Sequence, residues 1–442
     1  MDLKQRIISK LKKPGYENHK WPITRRDFIR MGLISGAFHF SPLLGKANRA
    51  QAQVQEKKNI PFLVIDLEGG AALPGNFLVG QAGGPEDLLT NYSTLGWNPR
   101  EANALDRTYG LPMSSSSSQI LTGLNQAIPE SVRSRFRFGS FLSFTRDDTA
   151  ENVMSALSLV HKAFGGGEFL KSGLSYDIQL QTTIDAYSGG RSRTRLESQF
   201  SPPIRIKSPT FYSQLTELGT GDTETDAQLM KFLIENSNNP EMKNALKELE
   251  IFSSGLQFRY TDNPEVVAIY GNNNNSTEAA LVYNCIKGNV GPSVITVGGC
   301  DYHDGGSQTG DNKDTQIGLT IGRAVATAAA LNSPLFIQVI TDGGMSSVES
   351  TRDWNSDSPT RSMSLVAYFD PNKTPEMKRQ QVGHYLAAGE VDQETLVGND
   401  LAKVIVGVAA NYLNVSGRLG EFADLVGSRG LSNQELEQLL IF

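Results

Sequence analysis

Asp301 and His303 are the pair in this sequence best suited to chemistry. They lie in the stretch Gly298-Gly-Cys-Asp-Tyr-His-Asp-Gly-Gly306. Two residues apart on an extended segment, their side chains point to the same side. A carboxylate and an imidazole together suit zinc and other divalent ions. Two more carboxylates occupy comparable places: Asp66 in Val64-Ile-Asp-Leu-Glu-Gly-Gly70, and Asp342 in Asp342-Gly-Gly-Met-Ser346. Each follows an apolar run and stands near glycines, which let the backbone approach an ion closely. The competing explanation is a solvated loop whose Asp residues shape turns, or a capped strand end at Asp66.

The runs that must position these side chains are Pro61–Leu67, Ser293–Val297 and Leu335–Thr341, all patterned as buried strands. If the three strands lie parallel and adjacent, Asp66, Asp301 and Asp342 meet at one carboxyl edge, where α/β proteins present reactive groups. Further strands are expected at Arg135–Phe144, Ser175–Tyr187, Glu265–Tyr270 and Ser362–Phe369. Helices are expected at Glu86–Tyr92, from Gln119, up to Phe164 and over Thr223–Phe252 in two pieces. Others are expected from Ser276 or Thr277 to Ile286, over the alanine-rich Thr315–Leu331, and at Thr374–Ala388, Asn399–Leu413 and Ser432–Leu440. This alternation, without a repeat of fixed period, predicts an α/β fold with a mostly parallel central sheet covered on both faces.

Other reactive residue types have blander explanations. Ser114 to Ser118 form a run expected to be a flexible, low-complexity loop. Arg191, Arg193 and Arg195 could bind an anion or simply solvate a loop. His161, on an expected helix, suits packing better than ligation. Asp304, Asp311, Asn312 and Asp314 could hold calcium, although their spacing does not match an EF-hand loop. The two cysteines, Cys285 and Cys300, flank a strand-like run and are either paired in an oxidising compartment or two buried thiols.

At 442 residues the chain could hold one large α/β domain or two ordinary ones, and 39% hydrophobic content with 43 glycines suits a soluble protein with many loops rather than a membrane protein. Thr24-Arg-Arg-Asp-Phe-Ile29 resembles the twin-arginine export motif. A basic leader precedes it, a moderately apolar run from Phe28 to Leu44 follows, and Ala50-Gln-Ala52 offers a small-x-small cleavage site. The expected organisation is a signal peptide over residues 1–52, recognised by the twin-arginine machinery, a polar linker over 53–60, and one α/β domain over 61–442, periplasmic or secreted. Residues 1–52 hold 11 Lys+Arg and 3 Asp+Glu, leaving 30 basic and 44 acidic residues, a formal net charge of −14. Such a surface repels nucleic acid, and it repels a free anionic substrate unless a metal or local Arg cluster offsets the field.

The leader, the strand ending Asp66-Leu-Glu-Gly-Gly70 and the later Gly298-Gly-Cys-Asp301-Tyr-His303 together resemble an uncharacterised family of exported bacterial proteins within the alkaline phosphatase and sulfatase-like superfamily. Phe336 to Gly343 is similar to that family's next strand, and the resemblance spans residues 60–425. It implies a three-layer α/β/α sandwich of alkaline phosphatase-like type, with a divalent metal (Mg, Mn, Ca or Zn) at the strand ends. It also implies hydrolysis of anionic phosphate or sulfate esters. By carry-over, Asp66, Asp301 and His303 would be ligands, joined by Asp342 from its own strand end. Members often have a Ser-His pair where this chain has Thr145 to Leu157, leaving Thr149 as the candidate nucleophile; Asp148 or Thr149 could instead cap the next helix. Members also show Ser-Glu-Phe-Gly-Arg where this chain has Asp342-Gly-Gly-Met-Ser346, and Asp-His-Gly where this chain has Trp354 to Arg361, with Asp353 and Asp357 but no His. The pattern implies a reduced, oxygen-rich site. The alternative is a catalytically inactive relative serving as a periplasmic or envelope binding or assembly protein.

Overall fold

Pro61 leads into Phe62–Leu67, whose six residues are all buried, as expected of a strand covered on both faces. This is β1. The computed structural model describes residues 59–100, 105–145, 155–164, 168–172, 205–207, 260, 263–271, 276–288, 291–303, 306–341, 343–349, 351–426 and 431–442. The other strands used below are β2 (Phe136–Phe141), β3 (Glu168–Ser172), β4 (Arg205–Lys207), β5 (Ser293–Val297), β6 (Leu335–Thr341), β7 (Met345–Ser347), β8 (Trp354–Asp357), β9 (Ser364–Phe369) and β10 (Gln381–Val382). The helices are α1 (Gln119–Ala127), α2 (Leu157–Ala163), α3 (Pro264–Tyr270), α4 (Ser276–Lys287), α5 (Gly306–Ala330), α6 (Leu401–Val415), α7 (Phe422–Val426) and α8 (Asn433–Leu439).

Eight strands form one sheet in the order β10-β2-β9-β6-β1-β5-β3-β4. β1 pairs in parallel with both β5 and β6, so the three expected strands are adjacent and run the same way. Only β9 is reversed, pairing antiparallel with β6 and β2. The fold is α/β with a mostly parallel sheet.

Alternation along the strands builds two cores. Leu63, Ile65 and Leu67 enter one, with side chains of α1, α3, α4 and α5. Phe62 and Val64 enter the other, with α2, α6, α7, α8 and the C-terminal Phe442. α1 and α5 approach closely because a Cβ on Gly123 would stand 2.3 Å from the Thr315 carbonyl oxygen, and one on Gly318 would stand 2.2 Å from that of Ile120. No described helix is long and apolar enough to cross a membrane.

Several expectations need correction. α5 begins at Gly306, not near Thr315, so Asp311, Asn312 and Asp314 are helical and form no calcium loop. Glu265–Tyr270 belongs to a helix, because Asn263 caps it by accepting from the Glu265 and Val266 amides and Pro264 fits its first turn. Glu86–Tyr92 is turn structure, with a short 3-10 turn at Ser93–Leu95. Thr374–Ala388 is not a helix. Its backbone groups serve neighbours instead: Gln380 and Val382 carbonyls accept from Ser140 and Leu142, and the Tyr385 amide donates to Gly80. The serine run is ordered: Ser114 is buried, and Ser118 caps α1 and donates to Asn76. Cys285 and Cys300 are free, buried thiols. The leader, Thr149, Ser175–Tyr187, the three arginines, Thr223–Phe252, Asp304 and Asp342 lie outside the described residues.

Candidate metal centre

Because β1, β5 and β6 are parallel neighbours in register, with Leu67 level with Val297 and Thr341, the segments that follow them share one rim. Hydrogen bonds tie those segments together. The Glu68 amide donates to Val297 O at 3.0 Å, and the Cys300 amide donates to Glu68 O at 2.9 Å. The Thr341 hydroxyl donates to Gly69 O at 2.7 Å and accepts from the Ala71 amide at 2.8 Å. Gly69 holds φ +101°, and a Cβ there would stand 2.4 Å from Asp301 Cβ. Only glycine allows the first loop to lie so close to the second.

On this rim Asp301 and His303 meet. His303 Nε2 lies 3.1 Å from Asp301 Oδ1 and 3.6 Å from Asp357 Oδ2. One ligand atom from each of the three lies within 4.8 Å of the others. Two ligand atoms bound to a common ion at about 2.1 Å are typically about 3 to 4 Å apart, depending on geometry. The trio therefore fits a single ion with modest adjustment. Its side chains are partly exposed, 51% for Asp301, 25% for His303 and 36% for Asp357, which leaves room for solvent or substrate. Two carboxylates and one imidazole make an oxygen-rich donor set that suits Mg or Mn and accepts Zn. Among the described residues no second trio of His, Cys, Asp or Glu meets so closely.

Asp66 is not in this group. It is the fifth residue of β1, buried, and level with Thr296 and Ile340 inside the sheet. It shares the parity of Phe62 and Val64, which enter the second core. The 298–303 loop instead packs on the first core's side through Cys300. Asp357 comes from β8, which pairs with β7 in a separate hairpin. Sequence spacing gave no reason to place that hairpin here. The one signal was an expectation from the resemblance alone, which set Trp354 to Arg361 against an Asp-His-Gly stretch. Cys300 is outside the trio: it is buried in the first core, and its Sγ donates to Val297 O at 3.2 Å.

Beneath the trio lies a buried polar network. The Tyr302 hydroxyl donates to Asp314 Oδ1 at 2.8 Å and accepts from the Ala72 amide at 2.9 Å. Asp314 Oδ2 accepts from Asn76 Nδ2 at 2.7 Å and Arg352 Nη2 at 2.8 Å. Arg352 also donates to Asp311 Oδ1 at 2.9 Å and to Gly75 O at 2.7 Å, and its guanidinium sits 5.5 Å from the Trp354 ring centroid. Burial works against the Arg352 charge, but Asp314 and Asp311 outweigh it and hold the guanidinium above its ordinary range. A buried pair with this many partners is fixed in place.

No protein-family model, curated protein or solved structure matches this chain.

Proposed function

We propose that this chain is an exported, metal-binding, hydrolase-like protein acting on phosphate or sulfate esters, built on a three-layer α/β/α sandwich of alkaline phosphatase-like type. The observation that carries this reading is the Asp301–His303–Asp357 trio at the carboxyl rim of parallel strands. A divalent ion held there would supply positive charge to stabilise the developing charge on ester oxygens. Asp301 and Asp357 would contribute oxygen ligands, and His303 would ligate through Nε2 while neutral. That local charge also answers the repulsion an anionic ester meets from a domain with formal net charge −14. Thr149 remains the proposed nucleophile and Asp342 a proposed contributor from the neighbouring strand end, whereas Asp66, turned toward the second core, does not join the ion.

A second reading, a non-catalytic relative that binds one ion and serves in the envelope, is favoured by the site's single imidazole and its exposure. Ion content and ester turnover with Mg, Mn, Ca and Zn, each compared with Asp301→Ala, separate the two. One bound ion with turnover that Asp301→Ala abolishes supports the hydrolase. One bound ion without turnover supports the envelope protein, and no bound ion under any condition removes the metal centre from both.

A further inference from the structure

We propose that Tyr302 and Arg352 are positioning residues of the ion site, acting through the shared carboxylate of Asp314. The inference rests on the metal reading above. Tyr302 stands between Asp301 and His303 in the chain. The tyrosine is buried while the Asp301 side chain is half exposed, as alternation along an extended segment requires. Fixing Tyr302 therefore fixes the backbone from which both ligands project. Its hydroxyl is held from two directions, by Asp314 of α5 and by the Ala72 amide of the loop after β1.

Asp357 reaches the same place by a separate route. Among the described residues its strand, β8, pairs with β7 and with no strand of the main sheet. Side chains tie the hairpin to the start of α5 and to the loop after β1. Arg352 grips Asp311 and Asp314, Trp354 packs beside Tyr302 with ring centroids 6.3 Å apart, and Asp353 Oδ1 accepts from the Ser307 amide at the start of α5. Asp314 is bonded to both Tyr302 and Arg352. The spacing between Asp357 and the Asp301–His303 pair is thus determined through that buried carboxylate. Outer partners that orient ligands in this way commonly change metal affinity by about 10- to 100-fold when removed.

The test is Mn2+ binding followed by electron paramagnetic resonance, on wild type, Tyr302→Phe, Arg352→Lys and Asp357→Asn. Tyr302→Phe keeps the ring and its packing but removes the hydroxyl. Arg352→Lys keeps the charge but loses the fork, and it carries the test if Tyr302→Phe does not fold. Val408→Ala, in the opposite core, serves as a destabilised control. The expected result is Mn2+ affinity about 10-fold or more weaker in both positioning variants, with an altered bound-ion spectrum, and wild-type affinity and spectrum in Val408→Ala. Wild-type affinity and spectrum in both Tyr302→Phe and Arg352→Lys, while Asp357→Asn abolishes binding, would overturn the positioning roles and leave the metal site standing. No Mn2+ binding by wild type would overturn the site itself and the positioning roles with it.

Discussion

Glu278, near the start of α4, is a carboxyl group placed where its charge is poorly supported. Burial pushes it up to about 7, and Arg323 opposes only weakly from 4.0 Å. An unfolded chain releases this proton near the ordinary value of 4.5, so the folded state binds more protons between about 4.5 and 7. The stability Glu278 contributes is therefore complete below pH 4.5 and is lost as pH rises through about 7. Glu278→Gln should gain stability relative to wild type from pH 5 to pH 8. The gain has an upper bound of about 3 kcal/mol, read from urea unfolding at each pH. An unchanged difference across that range would show that the side chain is solvated. At the same scale, the two thiols follow from their burial alone: Cys285 is pushed up to about 12, chiefly by desolvation, and donates to Phe62 O. Both cysteines belong to packing.

Among the elements, the paired turns after β1 and β5 depend on one residue without a side chain. Gly69→Ala would add a Cβ 2.4 Å from Asp301 Cβ and 2.5 Å from its amide nitrogen, at φ +101°. The expected cost is about 2 kcal/mol or more, measured by chemical denaturation. Displacement of Asp301 should also weaken Mn2+ binding about 10-fold, the scale of other perturbed ligand supports. A variant with unchanged affinity would separate the loop's packing from the ion site. The helix boundaries teach a related lesson. Gly306 to Asp314 has glycines and acidic residues that read as loop, yet it forms the first turns of α5 because Arg352 neutralises Asp311 and Asp314 and Asp353 covers the Ser307 amide. Thr374–Ala388 shows the reverse: helix-compatible residues become edge structure because Gln381 bonds Gly80 through its amide side chain and β10 pairs with β2. Tertiary partners override weak local propensity in both cases.

For the whole molecule, the charge asymmetry between leader and domain goes with the proposed export route. Replacing Arg25 and Arg26 by lysine together should leave the full-length precursor in the cytoplasmic fraction. Wild type should appear processed outside it, as judged by fractionation and the mass of the mature chain. Processing unaffected by the double substitution would dismiss the twin-arginine route without touching the ion site.

The sequence alone determined the sheet's centre. Apolar-rich runs at Phe62–Leu67, Ser293–Val297 and Leu335–Thr341 are patterned as strands covered on both faces, and the structure makes them parallel neighbours, the arrangement the sequence held only as a condition. It also determined that Asp301 and His303 would lie together, since two residues of extended chain return to the same side. What only the tertiary structure decided was the third carboxylate. Asp66 looked equivalent because it ends the first apolar run, but strand alternation turns it toward the other core. Asp357 takes its place in the trio, from a hairpin strand 56 residues further along the chain than Asp301. That hairpin is seated by a buried Arg352–Asp314 pair, and no periodicity or spacing encodes such a pair, because its energy exists only once both partners have left water together.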